Sequence, residues 1–298
     1  MTNSVGFIGL GVMGLPMAER LLAQGLPLVV WNRTAAKAGA LSARGASRAA
    51  SPREVAATAV VVLTMLSDDA AVEAVALGGD GIAAGIGSGK VHCDMSTIGT
   101  ETSRRLGAHY ARQGAHFVHA PVLGNWRAAA AGSLLIFAGG AETAIERCRP
   151  VFAALGKKVW RWDRPEQATA VKLACNLLLG GMVELLAESL LLASRAGVTG
   201  ETMLEIIGAS ALGAPMYRAK GETILQRGFV PPSFYLRHMR KDLELALVAG
   251  QHCGATLPAT RAIRDVFAAA AAGPRADVDY SAVYEYLEEL SAGRAQPA

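Results

Sequence analysis

The chain has 298 residues, 52% of them hydrophobic and 18% charged, with a mean hydropathy of +0.29. That is enough apolar material for a large core in two domains, and it excludes a disordered chain or a small disulfide-stapled scaffold. The formal charge of +4 and the pI near 9.0 rest on 29 dispersed basic residues with only 6% aromatic residues, which argues for mild attraction to small anions and no nucleic-acid partner.

Cys93, Cys148, Cys175 and Cys253 stand far apart, suiting neither a disulfide framework nor a metal site, so a reducing, cytoplasmic setting without metal is expected. The apolar start lacks a basic region and is broken by Gly6, Gly9, Gly11 and Gly14, unlike a secretory signal. The most apolar long stretch, 173–192, contains Glu184 and Glu188, each costly in lipid, so no membrane span is expected.

Short runs rich in β-branched residues predict strands at 5–8, 28–31, 59–65, 90–96, 117–122, 134–138 and 158–162. Helical patterns such as 12–23 and 52–58 lie between them, with turns at Gly78-Gly79 and Gly139-Gly140. This alternation is the signature of βαβ units and a doubly wound parallel sheet. After Trp162 the period changes: a helical run covers 168–197, and no strand pattern follows. So long a helix commonly bridges two domains, which places the boundary at 163–166. The expected architecture is an α/β domain over 1–165 and an all-α domain over 166–298, the latter ending in a helix capped by Asp279 or Ser281 that runs to Leu290. There is no internal repeat.

Gly9-Leu10-Gly11-Val12-Met13-Gly14 follows the first strand and opens the first helix, the context in which GxGxxG indicates a dinucleotide. The first glycine permits the turn, the second lets backbone approach a pyrophosphate, and the third allows close helix packing; the positive helix end then faces the phosphates. The first domain is therefore expected to be of Rossmann type. After the second strand, where Asp or Glu would bond ribose hydroxyls, stand Asn32, Arg33 and Thr34, with Lys37 one turn beyond Arg33. An amide, a guanidinium, a hydroxyl and an ammonium suit a 2′-phosphate that a carboxylate would repel, so NADP(H) is expected over NAD(H). A solvated turn that merely caps a helix is the competing reading. The P-loop-like segment at 85–90 fails, because Ala84 and Val91 replace its required glycine and hydroxyl.

On the long helix, Lys172 and Asn176 are spaced i, i+4 and share a face. Beside a nicotinamide, another cation and apolar walls, a lysine would have a lowered pKa and could donate a proton near neutral pH. Spacing alone favours a plainer reading, a lysine snorkelling beside a surface asparagine.

A family resemblance changes that weighting. Gly6 to Gly14, Trp31 to Thr34, Met65-Leu66-Ser67-Asp68, Asp94-Met95-Ser96-Thr97-Ile98, Ala120-Pro121-Val122, Lys172 with Asn176, Pro215-Met216 with Lys220-Gly221, and Lys241-Asp242-Leu243 occur in a highly specific order and spacing. Over nearly its whole length the chain resembles the β-hydroxyacid dehydrogenases, the 3-hydroxyisobutyrate dehydrogenase-like family, and within it the glyoxylate/succinic semialdehyde reductase branch. The resemblance implies that Lys172 is the catalytic lysine and Asn176 its substrate-positioning partner. It implies that Thr97 and Lys241 touch the cofactor, that Met65, Leu66 and Ser67 pass its adenosine half, and that Phe234 and Asp242 line the substrate pocket. It also implies a homodimer or homotetramer.

One segment departs from the family pattern. Where the family has an acidic residue followed by x-Pro-Val-Ser-Gly, this chain has His119-Ala120-Pro121-Val122-Leu123-Gly124-Asn125. Leu123 cannot donate the hydrogen bond that the family serine gives the substrate carboxylate, leaving Gly124 and Asn125, with Trp126 as a wall. Loss of one charged hydrogen bond would weaken acid binding by about 1.5–3 kcal/mol, and a less polar substrate is expected. His119 is read as structural. His116 and His119, three apart on a strand, face opposite sides and bind no metal.

The expectation is thus an NADP(H)-dependent reductase of a small aldehyde or keto acid, acting in the crevice between its domains. Imine reduction, the chemistry of a sister group generally lacking the lysine, is one alternative; a non-catalytic NADP(H)-binding protein is another.

Overall fold

The computed structural model describes residues 4–294. The chain forms two compact units, residues 1–172 and 173–298.

The first unit holds a nine-stranded sheet: β1 Val5–Ile8, β2 Leu28–Trp31, β3 Ser47–Arg48, β4 Val61–Thr64, β5 Val91–Asp94, β6 His116–His119, β7 Val122–Leu123, β8 Leu134–Gly139 and β9 Gly156–Trp162. The strand order is β3-β2-β1-β4-β5-β6-β8-β7, with β9 on β8; β3 through β6 are parallel, and β8 runs antiparallel to β6 and β7. The order reverses between β1 and β4, the switch point outside which ligands bind in open α/β sheets. The helices are α1 Gly14–Ala23, α2 Ala36–Ser42, α3 Pro52–Thr58, α4 Asp69–Leu77, α5 Thr100–Arg112, α6 Trp126–Ala131, α7 Glu142–Arg147 and α8 Arg149–Leu155. Alternation along each strand divides the core in two: Phe7, Val30, Leu63 and Cys93 pack with Met17 and Leu21 of α1, while Ile8, Val29, Val62 and Phe117 pack with Val55 of α3 and Leu106 of α5.

Three details differ from the sequence expectation. The strand expected at 117–122 is split into β6 and β7, because Pro121 has no N–H for the ladder. β3 was not foreseen; its two residues are exposed and carry no apolar pattern. The long helix, α9, spans Pro165–Arg195, beginning at a proline that suits a first helical position.

α9 is, among the described residues, the one helix long and apolar enough to cross a bilayer. Yet Val183, Leu186, Ala187 and Leu190 belong to the core of the second unit, with Met239 and Leu243 of α12 (Leu236–Cys253) and Phe267 of α13 (Pro258–Ala271). The intervening helices are α10 Gly200–Ala209 and α11 Pro215–Leu225, and the last is α14 Val283–Ser291. Asp279 caps the short 3₁₀ turn Tyr280–Ala282 that leads into α14.

That cap belongs to a buried cluster. Lys220 Nζ lies 2.7 Å from Asp279 Oδ1, donates to Ser233 Oγ at 2.8 Å and stands 4.5 Å above the Tyr280 ring. Asp279 also accepts from the backbone N–H and hydroxyl of both Ser233 and Ser281. Burial alone would raise the Asp279 carboxyl's pKa, but the Lys220 ammonium and these donors hold it below the ordinary value. Asp279→Asn would leave a buried ammonium without its counter-charge, and should lower the unfolding free energy measured in denaturant by about 3–5 kcal/mol.

Candidate active site

The turn after β1 has little freedom. Gly9 has φ +98°, and a Cβ there would collide with the Met65 carbonyl; one at Gly14 would fall on the Gly9 carbonyl. A Cβ at Gly11 would meet nothing within 4 Å. The first turn of α1 has no side-chain cap and no acidic residue. These features fit a dinucleotide pyrophosphate: rigid glycines at both ends, open space at the middle one, and a positive helix end left to an anion.

Asn32 makes two hydrogen bonds within the fold. Its Oδ1 accepts from the Leu10 N–H at 2.9 Å and its Nδ2 donates to the Thr34 carbonyl at 2.9 Å, so the amide clamps the glycine turn to the end of β2. Arg33, Thr34 and Lys37 are exposed beyond it. A carboxylate at position 32 could hold Leu10 but could not donate to Thr34.

The loops after β4 and β5 meet around a buried carboxylate. Asp94 Oδ1 accepts from the Thr64 hydroxyl at 2.5 Å and the Ser96 hydroxyl at 2.7 Å, and Ser96 Oγ accepts from the Leu66 N–H at 2.9 Å. His92 Nε2 lies 2.9 Å from Thr64 Oγ1; since the Thr64 proton goes to Asp94, His92 is the donor. Burial, with His119 nearby, pushes His92 down to about 3, and burial raises Asp94. The Met65 N–H donates to the Ile8 carbonyl at 3.0 Å. The segment Met65, Leu66, Ser67 is thereby fixed beside Gly9, with half-buried Thr97 just beyond Ser96. Asp94, Ser96 and His92 were not foreseen as organisers, whereas His119 was read as structural; the signal was polar residues inside otherwise apolar strands.

Leu123 ends β7 and is half-buried. Gly124 has φ +141°, and a Cβ there would crowd Leu134 and Ala128. Asn125 is the N-cap of α6: its Oδ1 accepts from Arg127 N–H and Ala128 N–H, both at 3.1 Å, so only its Nδ2 is left to donate elsewhere. Arg127 stacks on Trp126, 4.4 Å from the ring centroid.

Lys172 closes the first unit, on α9, with 8% of its surface exposed. In the second unit Asn176, 2% exposed, donates from Nδ2 to Asp242 Oδ2 at 2.5 Å. Lys241 Nζ is 3.0 Å from the other Asp242 oxygen. Half-buried Phe234 meets Tyr280 edge-on, with centroids 5.7 Å apart, next to the Lys220–Asp279 cluster. Lys172 and Asn176 are both buried, contrary to the reading of an exposed pair. Among the described residues no group of His, Cys, Asp and Glu could hold a metal ion.

The model of the NAD binding domain of 6-phosphogluconate dehydrogenase matches residues 4–163, and that of the NAD-binding region of NADP-dependent 3-hydroxyisobutyrate dehydrogenase matches residues 167–287. The chain belongs to the 3-hydroxyisobutyrate dehydrogenase-like β-hydroxyacid dehydrogenases. It is 36% identical to glyoxylate/succinic semialdehyde reductase 1 of Arabidopsis thaliana over 95% of this chain and 98% of that protein. The crystal structure of a Salmonella typhimurium 3-hydroxyisobutyrate dehydrogenase matches with TM-score 0.86 and 28% identity, covering 95% of this chain and 99% of that one. Psf3 in complex with NADP+ and 2-OPP matches with TM-score 0.85 and 26% identity, over 95% and 99% of the two chains. The 3-hydroxyisobutyrate dehydrogenase-like family is one of NAD(P)-dependent hydroxyacid dehydrogenases, and the fold described above is its fold.

The glycine geometry separates stability from binding. Gly11→Ala should melt within about 0.5 kcal/mol of the parent yet bind NADPH about tenfold or more weakly by fluorescence titration. Gly14→Ala should lose folded stability itself, as a lowered melting temperature.

Proposed function

We propose that this protein is an NADP(H)-dependent reductase that interconverts a small aldehyde or keto acid, of semialdehyde or glyoxylate type, with the corresponding hydroxy acid. The observation that carries this reading is the buried Lys172 one helical turn before Asn176, whose amide is anchored on buried Asp242. NADP(H), when bound, supplies or accepts hydride at its nicotinamide ring. Lys172 delivers a proton to the carbonyl oxygen as negative charge develops there, and receives one in the reverse direction. Asp242 takes an amide hydrogen of Asn176 and so fixes that side chain one turn beyond Lys172, and Lys241 neutralises the Asp242 carboxylate.

At the cofactor end, Gly9 to Gly14 receive the pyrophosphate, Met65 to Ser67 and Thr97 line the adenosine and ring sides, and Arg33, Thr34 and Lys37 bond the 2′-phosphate. At the substrate end, Gly124 and the Asn125 Nδ2 hold the carboxylate, with Leu123 and Phe234 as apolar walls. The active species is a homodimer or homotetramer in the cytoplasm.

One observation favours a second reading. Leu123 offers no hydrogen to an acid, which suits an imine of lower polarity. Assay of glyoxylate, succinic semialdehyde and a cyclic imine with NADPH should show the carbonyl compounds turned over faster; the opposite order would establish the imine reading.

Lys172→Ala should reduce kcat by about 10²–10⁴-fold with NADPH binding intact, and retained turnover would overturn the assignment. Arg33→Asp should cut the NADPH-to-NADH ratio of kcat/KM by about ten- to a hundredfold, since it replaces a charged donor with a repelling acceptor. Equal use of NADH by the unaltered protein would overturn the cofactor preference.

A further inference from the structure

Within the first unit, one imidazole joins the loop after β5 to the start of α9. The His119 ring at the end of β6 is wholly buried and lies parallel to Phe117, centroids 6.4 Å apart and planes within 6°. Its Nε2 is 3.1 Å from the Ser96 carbonyl oxygen and 3.5 Å from Asp94 Oδ2. Both neighbours are oxygens with lone pairs to offer, so Nε2 carries the ring hydrogen and donates to Ser96. Burial lowers the His119 pKa, against the pull of Asp94 in the other direction, and the ring is neutral. Nδ1 is then an acceptor. The Thr169 hydroxyl faces it at 2.7 Å and also lies 3.1 Å from the Pro165 carbonyl oxygen one turn back on α9, so its single hydrogen is divided between Nδ1 and that carbonyl.

Thr169 is 1% exposed and sits on α9, three residues before Lys172. Residues at i and i+3 share a helix face, so the hydroxyl held by His119 and the Lys172 side chain leave α9 on the same side. Ser103 Oγ of α5 stands 2.9 Å from the same hydroxyl, which pins this turn from a second element. The Ser96 carbonyl, for its part, belongs to the peptide that leads into Thr97. A neutral ring with one donor and one acceptor thus ties the Thr97 peptide to the turn of α9 bearing Lys172. An acidic residue, which the family pattern places at this position, is acceptor-only when ionised and could not serve the Ser96 carbonyl.

We infer that His119 and Thr169 are positioning residues for proton transfer: their hydrogen bond fixes the rotation and advance of the first turns of α9 against the Ser96–Thr97 peptide, and so sets where the Lys172 ammonium stands. The inference rests on the reading of Lys172 as general acid. Misplacement of a reacting group by about 1 Å can slow a reaction by 10²-fold, so a bond that acts through helix placement has a measurable effect on rate.

The test compares Thr169→Val and Thr169→Ala, which remove the hydroxyl, with Thr169→Ser, which keeps it, using NADPH and succinic semialdehyde. In the first two, kcat should fall about tenfold while the NADPH dissociation constant stays within about twofold. Thr169→Ser should restore kcat. Two hydroxyl-free variants guard against one that folds poorly, and melting curves report folding in each. Wild-type kcat in a folded hydroxyl-free variant would overturn the inference, as would a loss that Thr169→Ser does not rescue. Lys172→Ala measured alongside separates the two claims. Turnover lost in Lys172→Ala but kept in Thr169→Val overturns the positioning role alone; turnover kept in Lys172→Ala overturns the acid assignment and this inference with it.

Discussion

A carboxylate sealed from solvent organises the carboxyl end of the sheet. Asp94 is wholly buried, and an ionisable group in that setting is tolerated only where donors converge on it. The Thr64 and Ser96 hydroxyls do so, and through Ser96 the constraint reaches the Leu66 amide in the loop after β4. On its other side Asp94 faces His119, which reaches the Ser96 carbonyl and the Thr169 hydroxyl. The loops expected to carry cofactor contacts and the first turns of α9 are therefore anchored in one polar cluster inside the first unit. Apolar packing alone would leave these segments free to slide, because it is non-directional.

A division of labour runs through the candidate site. Side chains that looked like ligand-binding groups are often engaged with backbone: Asn32 with Leu10 and Thr34, Asn125 with Arg127 and Ala128. These bonds fix the glycine turn and the start of α6, while Arg33, Thr34 and Lys37 beyond β2 stay exposed. In the second unit Asn176 is held instead by a side chain, the buried Asp242 carboxylate.

The Rossmann half was legible because its signals are local. β-branched runs with period two and the glycine motif depend on neighbours in sequence, and β1, β2 and α1 lie where they were expected. β3 escaped because Ser47 and Arg48 are exposed and pair only with a strand edge, and 117–122 misled because Pro121 interrupts a run that otherwise reads as one strand. The spacing of Lys172 and Asn176 marked them as a pair, but the Asp242 that holds Asn176 lies 66 residues along the chain. His119 was read as structural, yet its partners lie 23 and 50 residues away, and no pattern of neighbours announces such bonds. Asn32 was read for its fit to a phosphate; that its amide also joins Leu10 to Thr34 is visible only in three dimensions.

The Leu66 amide has a further consequence. A loop N–H bonded to a buried hydroxyl, which is itself bonded to a buried carboxylate, is released only when the interior beneath it opens. Fixing a residue of chain costs about 1–2 kcal/mol of conformational entropy, and for residues 65–67 and 96–97 that loss is incurred as the protein folds. For loops expected to meet a dinucleotide, such anchoring means that contact energy goes into affinity with little deducted for ordering the receptor.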